Sequence, residues 1–203
     1  MHLSLSAVRG NCHYLEQGLR LLERIAPENY STPTRPGWAP LGSQFRHILD
    51  HYRSFLMGWV EGRVNYDARD RDRQVETDLA EAVRVARWTI ERLQRIHVED
   101  GDRIVMVQMD CGGNDGVPDW RPSSVGRELQ FLVSHTVHHY ALIRMLLEDL
   151  GVEAGADFGT APSTLAWQQA VRPSGAPPGN PRSLSGVSRG SRHSRTLAPE
   201  TAQ

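Results

Sequence analysis

Apolar residues recur at three- and four-residue steps in four stretches of the chain, and the pattern breaks between them. His2 to Ala26 carries Val8, Leu15, Leu19, Leu22 and Ile25 on one face and ends at Pro27. Leu41 to Glu61 carries Phe45, Ile48, Leu49, Tyr52, Phe55, Leu56, Trp59 and Val60, with Ser43 as its candidate cap. Gln74 to Ile96 carries Leu79, Val83, Ala86, Ile90 and Leu93 opposite a charged, solvated face. Val125 to Leu150 is the longest stretch; Pro122-Ser123-Ser124 opens it and Gly151 closes it. Each predicts an amphipathic helix.

The intervening segments read differently. Residues 27 to 40 hold four prolines and predict a connection without regular helix. Residues 62 to 73 form a polar link. Arg103 to Met109 alternates and is partly β-branched, and Asp110 to Gly116 is dense in turn formers. Together they predict a short strand or β-hairpin that closes near Val117 to Trp120. The fold class expected is all-α, a four-helix bundle with a short β-hairpin before the last helix. Asp157 to Leu165 reads as an ordered segment with one aromatic. From residue 171 to 203 the chain is Ser, Gly, Pro and Arg with almost no large apolar residue, which predicts a disordered tail after a domain spanning 1 to 170.

Composition narrows the function. The chain has 203 residues, 39% hydrophobic and 23% charged, enough for one domain with its own core. All its basic side chains are Arg, which excludes Schiff-base chemistry on a lysine. From Arg172 onward there are five Arg against one Glu, so a whole-chain charge of −1 leaves the preceding body at about −5. That argues against a nucleic-acid partner. No apolar run is long enough to span a bilayer, and no basic-then-apolar leader opens the chain, so no membrane role and a cytoplasmic location are expected. Cys12 and Cys111 lack a metal-ligand spacing and read as free thiols.

The chemistry lies in the histidines. His135 and His139 are four apart in the last helix, about 40° apart in azimuth and about 6 Å apart along the axis. Two imidazoles so placed can grip one metal ion from one face. A third ligand must come from a facing helix, and the second helix offers His47 and His51, again four apart. Three imidazoles around a divalent transition metal (Zn, Ni, Fe or Mn) leave an open coordination position, the arrangement of a catalytic site. His138 points about 60° away from His135 and reads as a supporting or surface residue. Asp50 and Glu128 are the nearest candidate bases, although each also reads as an ion-paired group. Arg46, Arg69, Arg71 and Arg127 could meet a substrate carboxylate or phosphate, or pair with Asp50, Asp67, Asp70 and Asp72. Tyr66, Asp67 and Tyr140 are candidate supports through hydrogen bonds.

Three blocks carry a resemblance: Gly42 to Tyr52 with its two histidines, Val64 to Asp72, and Gly126 to Ile143 with the His135, His138 and His139 cluster. With the closing Phe158 to Leu165, they resemble the DinB-like family over about residues 3 to 167. These are metal-binding four-helix bundles related to the YfiT-type proteins classed as hydrolases and to the bacillithiol and mycothiol transferases. The resemblance implies an up-down-down-up helix order and a three-His site, with His47 from the second helix and His135 and His139 from the last. His51 is then the reserve ligand. The family often carries a histidine where Gln44 stands here, so the chain departs from the pattern at that position. The resemblance implies a metal-dependent hydrolase or thiol S-transferase acting on a small molecule, the transferase with a low-molecular-weight thiol as co-substrate. A non-catalytic metal-binding stress-response or interaction module is the alternative. A homodimer is compatible with a bundle.

Overall fold

The computed structural model describes residues 6–112 and 117–171. The expected disordered tail lies outside the described residues, apart from its first residue, Val171. Four long helices form the body: α1 (Ser6–Leu22), α3 (Leu41–Gly58), α5 (Leu79–Leu93) and α6 (Val125–Leu150). Between and after them come α2 (Pro27–Ser31), α4 (Arg73–Thr77), α7 (Pro162–Val171) and a three-stranded sheet of β1 (Arg63–Asn65), β2 (Ile104–Gln108) and β3 (Trp120–Ser124).

Side-chain pairs fix the helix directions. Asn11 reaches the carbonyl of Leu129, and Gly18, later in α1, lies against Tyr140, later in α6, so these two helices run parallel. Gln44 meets His139 while Tyr52 meets Thr136, so α3 runs antiparallel to α6. The chain leaves α3 into β1 and α5 towards β2, and β1 and β2 pair in parallel. β3 returns antiparallel to β2 and leads straight into α6. The order is therefore up-down-down-up, and α1 and α3 each pack on both α5 and α6. The core between them is aliphatic and aromatic, with Tyr14, Tyr30, Tyr52, Tyr66 and Tyr140 all fully buried.

The structure departs from the sequence reading in several places. The proline-rich link does contain regular helix, because Pro27 sits in the first turn of α2, where a missing N–H costs nothing. The third helix is two: Asp78 ends α4 and caps α5, its carboxylate accepting from the backbone N–H of Ala80 and Glu81. Residue 78 is thus a stop and a start in the middle of a continuous apolar period. The polar link contributes β1, with Val64 buried. Ser43 lies inside α3, whose N-cap position is Pro40. The hairpin forms as β2, within the expected stretch, and β3, which begins where the hairpin was expected to close; Ser124 caps α6 by accepting from Arg127 N–H. Gly151 closes α6 in the left-handed region (φ 65°). Beyond it Phe158 folds back and stacks on Tyr140, ring centroids 4.4 Å apart.

Candidate metal centre

α3 and α6 cross antiparallel with their histidine faces opposed. His47 on α3 and His135 and His139 on α6 each offer one ring nitrogen, and those atoms all lie within 4.8 Å of one another. His47 Nε2 and His135 Nε2 are 3.1 Å apart. Two nitrogens on a tetrahedral zinc ion at the usual bond length are separated by about 3.3 Å, so this edge is already close to coordination geometry. All three side chains are half-buried, as suits a site that must be reached from solvent.

The rings are held from behind. His139 Nδ1 donates to Gln44 Oε1 at 2.8 Å, which fixes the tautomer and leaves Nε2 as a lone-pair donor. Gln44, the position of departure from the family pattern, thus supports a ligand here. His135 Nδ1 is buried with no hydrogen-bond partner among the described residues.

His51, one turn beyond His47, is more deeply buried and packs on the group, its ring 4.0 Å from that of His135 and 4.5 Å from that of His47. Both its nitrogens are spoken for: Nδ1 donates to the carbonyl of His47 at 2.8 Å, and Nε2 accepts from Arg69 Nη1 at 3.3 Å. Tyr66 stacks against it. His138 is exposed, edge-on to His139 and outside the three-nitrogen group.

Electrostatics favour neutral rings. Burial, then the nearby Arg69, pushes His47 down to about 4. Burial also takes His51 to about 3, His139 to about 4 and His135 to about 2, where the neighbouring imidazoles add to the effect. A metal needs the deprotonated imidazole, so burial prepares these rings by making the competing proton costly.

The other singled-out residues sort themselves. Asp50 is buried and accepts from Arg46, which also donates to Glu76. Glu128 is buried and accepts from the Tyr66 hydroxyl at 2.9 Å and the Ser123 hydroxyl at 2.6 Å. Both carboxylates are therefore committed to the scaffold. Asp67 accepts from the backbone N–H of Asp110, while Asp70 and Asp72 pair with Arg53, not with Arg69 or Arg71. Arg71 and Arg127 are exposed. Tyr140 faces α1, donating to the Tyr14 carbonyl, and takes no part in the histidine cluster. The contact the sequence did not disclose is that between Arg69 and His51. It depends on how the link after β1 folds back, for which the spacing carries no signal.

This arrangement belongs with a known family. The model of the DinB superfamily matches residues 16–143, well over half of the chain. The chain belongs to the DinB superfamily. Among solved structures it resembles the DinB-like protein YjoA of Bacillus subtilis, with a TM-score of 0.55 and 19% identity over 73% of this chain and 94% of that one. At that identity the likeness speaks for the bundle fold alone. A curated relative, FK506-binding protein 5 of Rhizopus delemar, is 34% identical over 110 residues, covering 50% of this chain and 26% of that protein. The chain thus spans about a quarter of that relative's length. Membership of the superfamily and a three-histidine group that could hold a metal ion agree with each other. Among the described residues no helix is long and apolar enough to cross a membrane.

Proposed function

We propose that this DinB-superfamily chain binds one divalent transition metal through His47, His135 and His139 and uses it as a metal-dependent enzyme. The observation that carries the reading is the meeting of three neutral imidazole nitrogens from two helices within 4.8 Å. With three protein ligands, a divalent ion keeps an open position, whose Lewis acidity favours the deprotonated form of a water or a thiol.

The residues around the site favour the thiol. Activating water usually calls for a carboxylate or a further histidine as base. Asp50 and Glu128 are each held by scaffold hydrogen bonds, and His51 spends both nitrogens on His47 and Arg69. A thiol, with its lower pKa of about 8.5, needs no such base beside a metal. Thiol S-transfer to a small electrophile is therefore the better-supported chemistry, and hydrolysis the second. Gln44 holds His139 in its tautomer, and His51 and Phe131 pack against His135 and limit the water around it.

Elemental analysis of protein purified without a histidine tag tests the metal. About one equivalent of zinc, nickel, iron or manganese after reconstitution is expected, and less than about a tenth of an equivalent overturns the reading. Metal-dependent turnover in thiol-conjugation panels, lost in His135→Ala with folding intact, is expected of an enzyme. Full metal occupancy with silence in both thiol and ester or amide panels would make the chain a metal-binding module.

A further inference from the structure

Arg69 is a half-buried cation for which no carboxylate is in hydrogen-bonding reach among the described residues. Nη1 donates to the Tyr66 carbonyl and to His51 Nε2, and Nε is buried without a hydrogen-bond partner. The four arginines singled out in the sequence differ here. Arg46 is satisfied by Asp50 and Glu76, whereas Asp70 and Asp72, close to Arg69 in sequence, turn to Arg53. Arg69 is also held in place. Asn65 Oδ1 accepts from the backbone N–H of Asp67 and Ala68, Asp67 accepts from Asp110, and Tyr66 is anchored to Glu128. Two residues on, Arg71 takes a left-handed backbone (φ 50°), a conformation that carries a cost for a non-glycine residue and persists where surroundings enforce it.

The charge balance around the histidines is one-sided. Three neutral imidazoles bring no negative charge to a divalent ion, and the adjoining side chain is a guanidinium, which Asp50 and Asp67 reach only through space, the first being bonded to Arg46 and the second to the Asp110 N–H. Two positive centres close together in a partly dry site are unfavourable unless an anion lies between them. A guanidinium with unused N–H donors offers a planar fork, which fits a carboxylate.

We infer that Arg69 is the carboxylate-recognition residue of the site, so that the ligand docking at the three histidines is a small molecule with a carboxylate a short distance from its metal-seeking atom. This rests on the metal reading above and narrows it to carboxylate-bearing thiols or their anionic partners.

The test uses the full-length, cobalt-substituted protein and three small thiols. Mercaptoacetate and 3-mercaptopropionate place a carboxylate one and two carbons from sulfur, and 2-mercaptoethanol carries none. Binding is followed by the cobalt visible spectrum, with metal content measured before and after. Wild-type protein is expected to prefer the better carboxylate thiol over 2-mercaptoethanol on the order of ten- to a hundredfold. Arg69→Gln is expected to bring that ratio close to one while leaving cobalt content and 2-mercaptoethanol affinity nearly unchanged. An unchanged ratio in Arg69→Gln, or no preference in wild type, overturns the assignment while leaving the metal site standing. Failure of the wild-type protein to hold cobalt overturns the metal reading, and this one with it. Should Arg69→Gln fail to fold, Arg69→Lys decides: the charge stays and the fork goes, so the ratio falls at least about threefold, and an unchanged ratio again refutes the role.

Discussion

Two adjoining layers of the α3–α6 interface use polar side chains to opposite ends. In one, Tyr52 donates to Asn11 Oδ1 at 2.7 Å and lies 3.1 Å from the Thr136 hydroxyl, which donates to the Leu132 carbonyl. Asn11 spends its amide on the carbonyls of Ala7 and Leu129. Asn11, Tyr52 and Thr136 are fully buried and mutually satisfied, and they tie α1, α3 and α6 together. In the other layer stand the next-door residues His51 and His135, together with His47 and His139. There His135 Nδ1 lacks a hydrogen-bond partner among the described residues, and the His47 and His135 Nε2 atoms face each other. A closed polar network holds a bundle in register. The histidine layer also joins α3 to α6, through His47–His135 and Gln44–His139, but it keeps a buried ring nitrogen that those contacts leave over. One step in sequence separates the two roles on each helix.

The largest effect expected from breaking this contrast is on the open layer. His135→Ala should lower metal content to below about a tenth of an equivalent, read by elemental analysis, while the far-UV spectrum and melting of the metal-free protein stay close to wild type. Gln44→Leu should keep the three ligands but free the His139 ring, weakening metal affinity about ten- to a hundredfold in competition with a chromophoric chelator. The closed layer should answer in the opposite sense. Tyr52→Phe strips the donor from buried Asn11 Oδ1 and should cost about 1–3 kcal/mol in urea unfolding, with metal stoichiometry at neutral pH unchanged. If Tyr52→Phe instead lost metal at full stability, the division between the layers would be wrong.

A last effect expected is a pH dependence carried by the open layer. Folded values of about 2 to 4 for the four rings lie below the ordinary 6.5. Between those limits the unfolded chain binds more protons, so stability falls with falling pH. Metal-free protein should therefore show a constant urea midpoint from pH 8 to about 6.5 and a declining one from there towards pH 4. His135→Ala should flatten part of that decline.

How much of this was legible beforehand depends on the range of the interaction. The pairing of His135 with His139 is local, set by helical period, and was readable directly. The choice between His47 and His51 was not, because both lie on one face of α3 and only the antiparallel crossing with α6 decides which ring meets the pair. The resemblance to the family supplied that choice, and the structure brings His47 to the group. The boundary at Asp78 was hidden by an apolar period that runs through it, although an Asp at that position is an ordinary capping signal. Asp50 and Glu128 look alike in sequence to any acid on a buried face. Their commitment to Arg46, Tyr66 and Ser123 rests on contacts between segments far apart in the chain. Arg69 was one of four equivalent candidates until the fold distributed the aspartates among its neighbours.

The stacking of Phe158 on Tyr140 reaches further than its place near the end of the described chain suggests. Tyr140 directly follows His139, its hydroxyl is pinned to the Tyr14 carbonyl, and it fits only because residue 18 is a glycine whose Cβ would stand 2.1 Å from that hydroxyl. Gly159 presses on the same side chain from outside. The last long helix is thereby clamped against swivelling about its own axis, a motion that would sweep both of its imidazoles off target. Trimming the chain ahead of Phe158 would loosen that clamp, and the centre that begins one residue before Tyr140 would lose its aim without losing a single ligand.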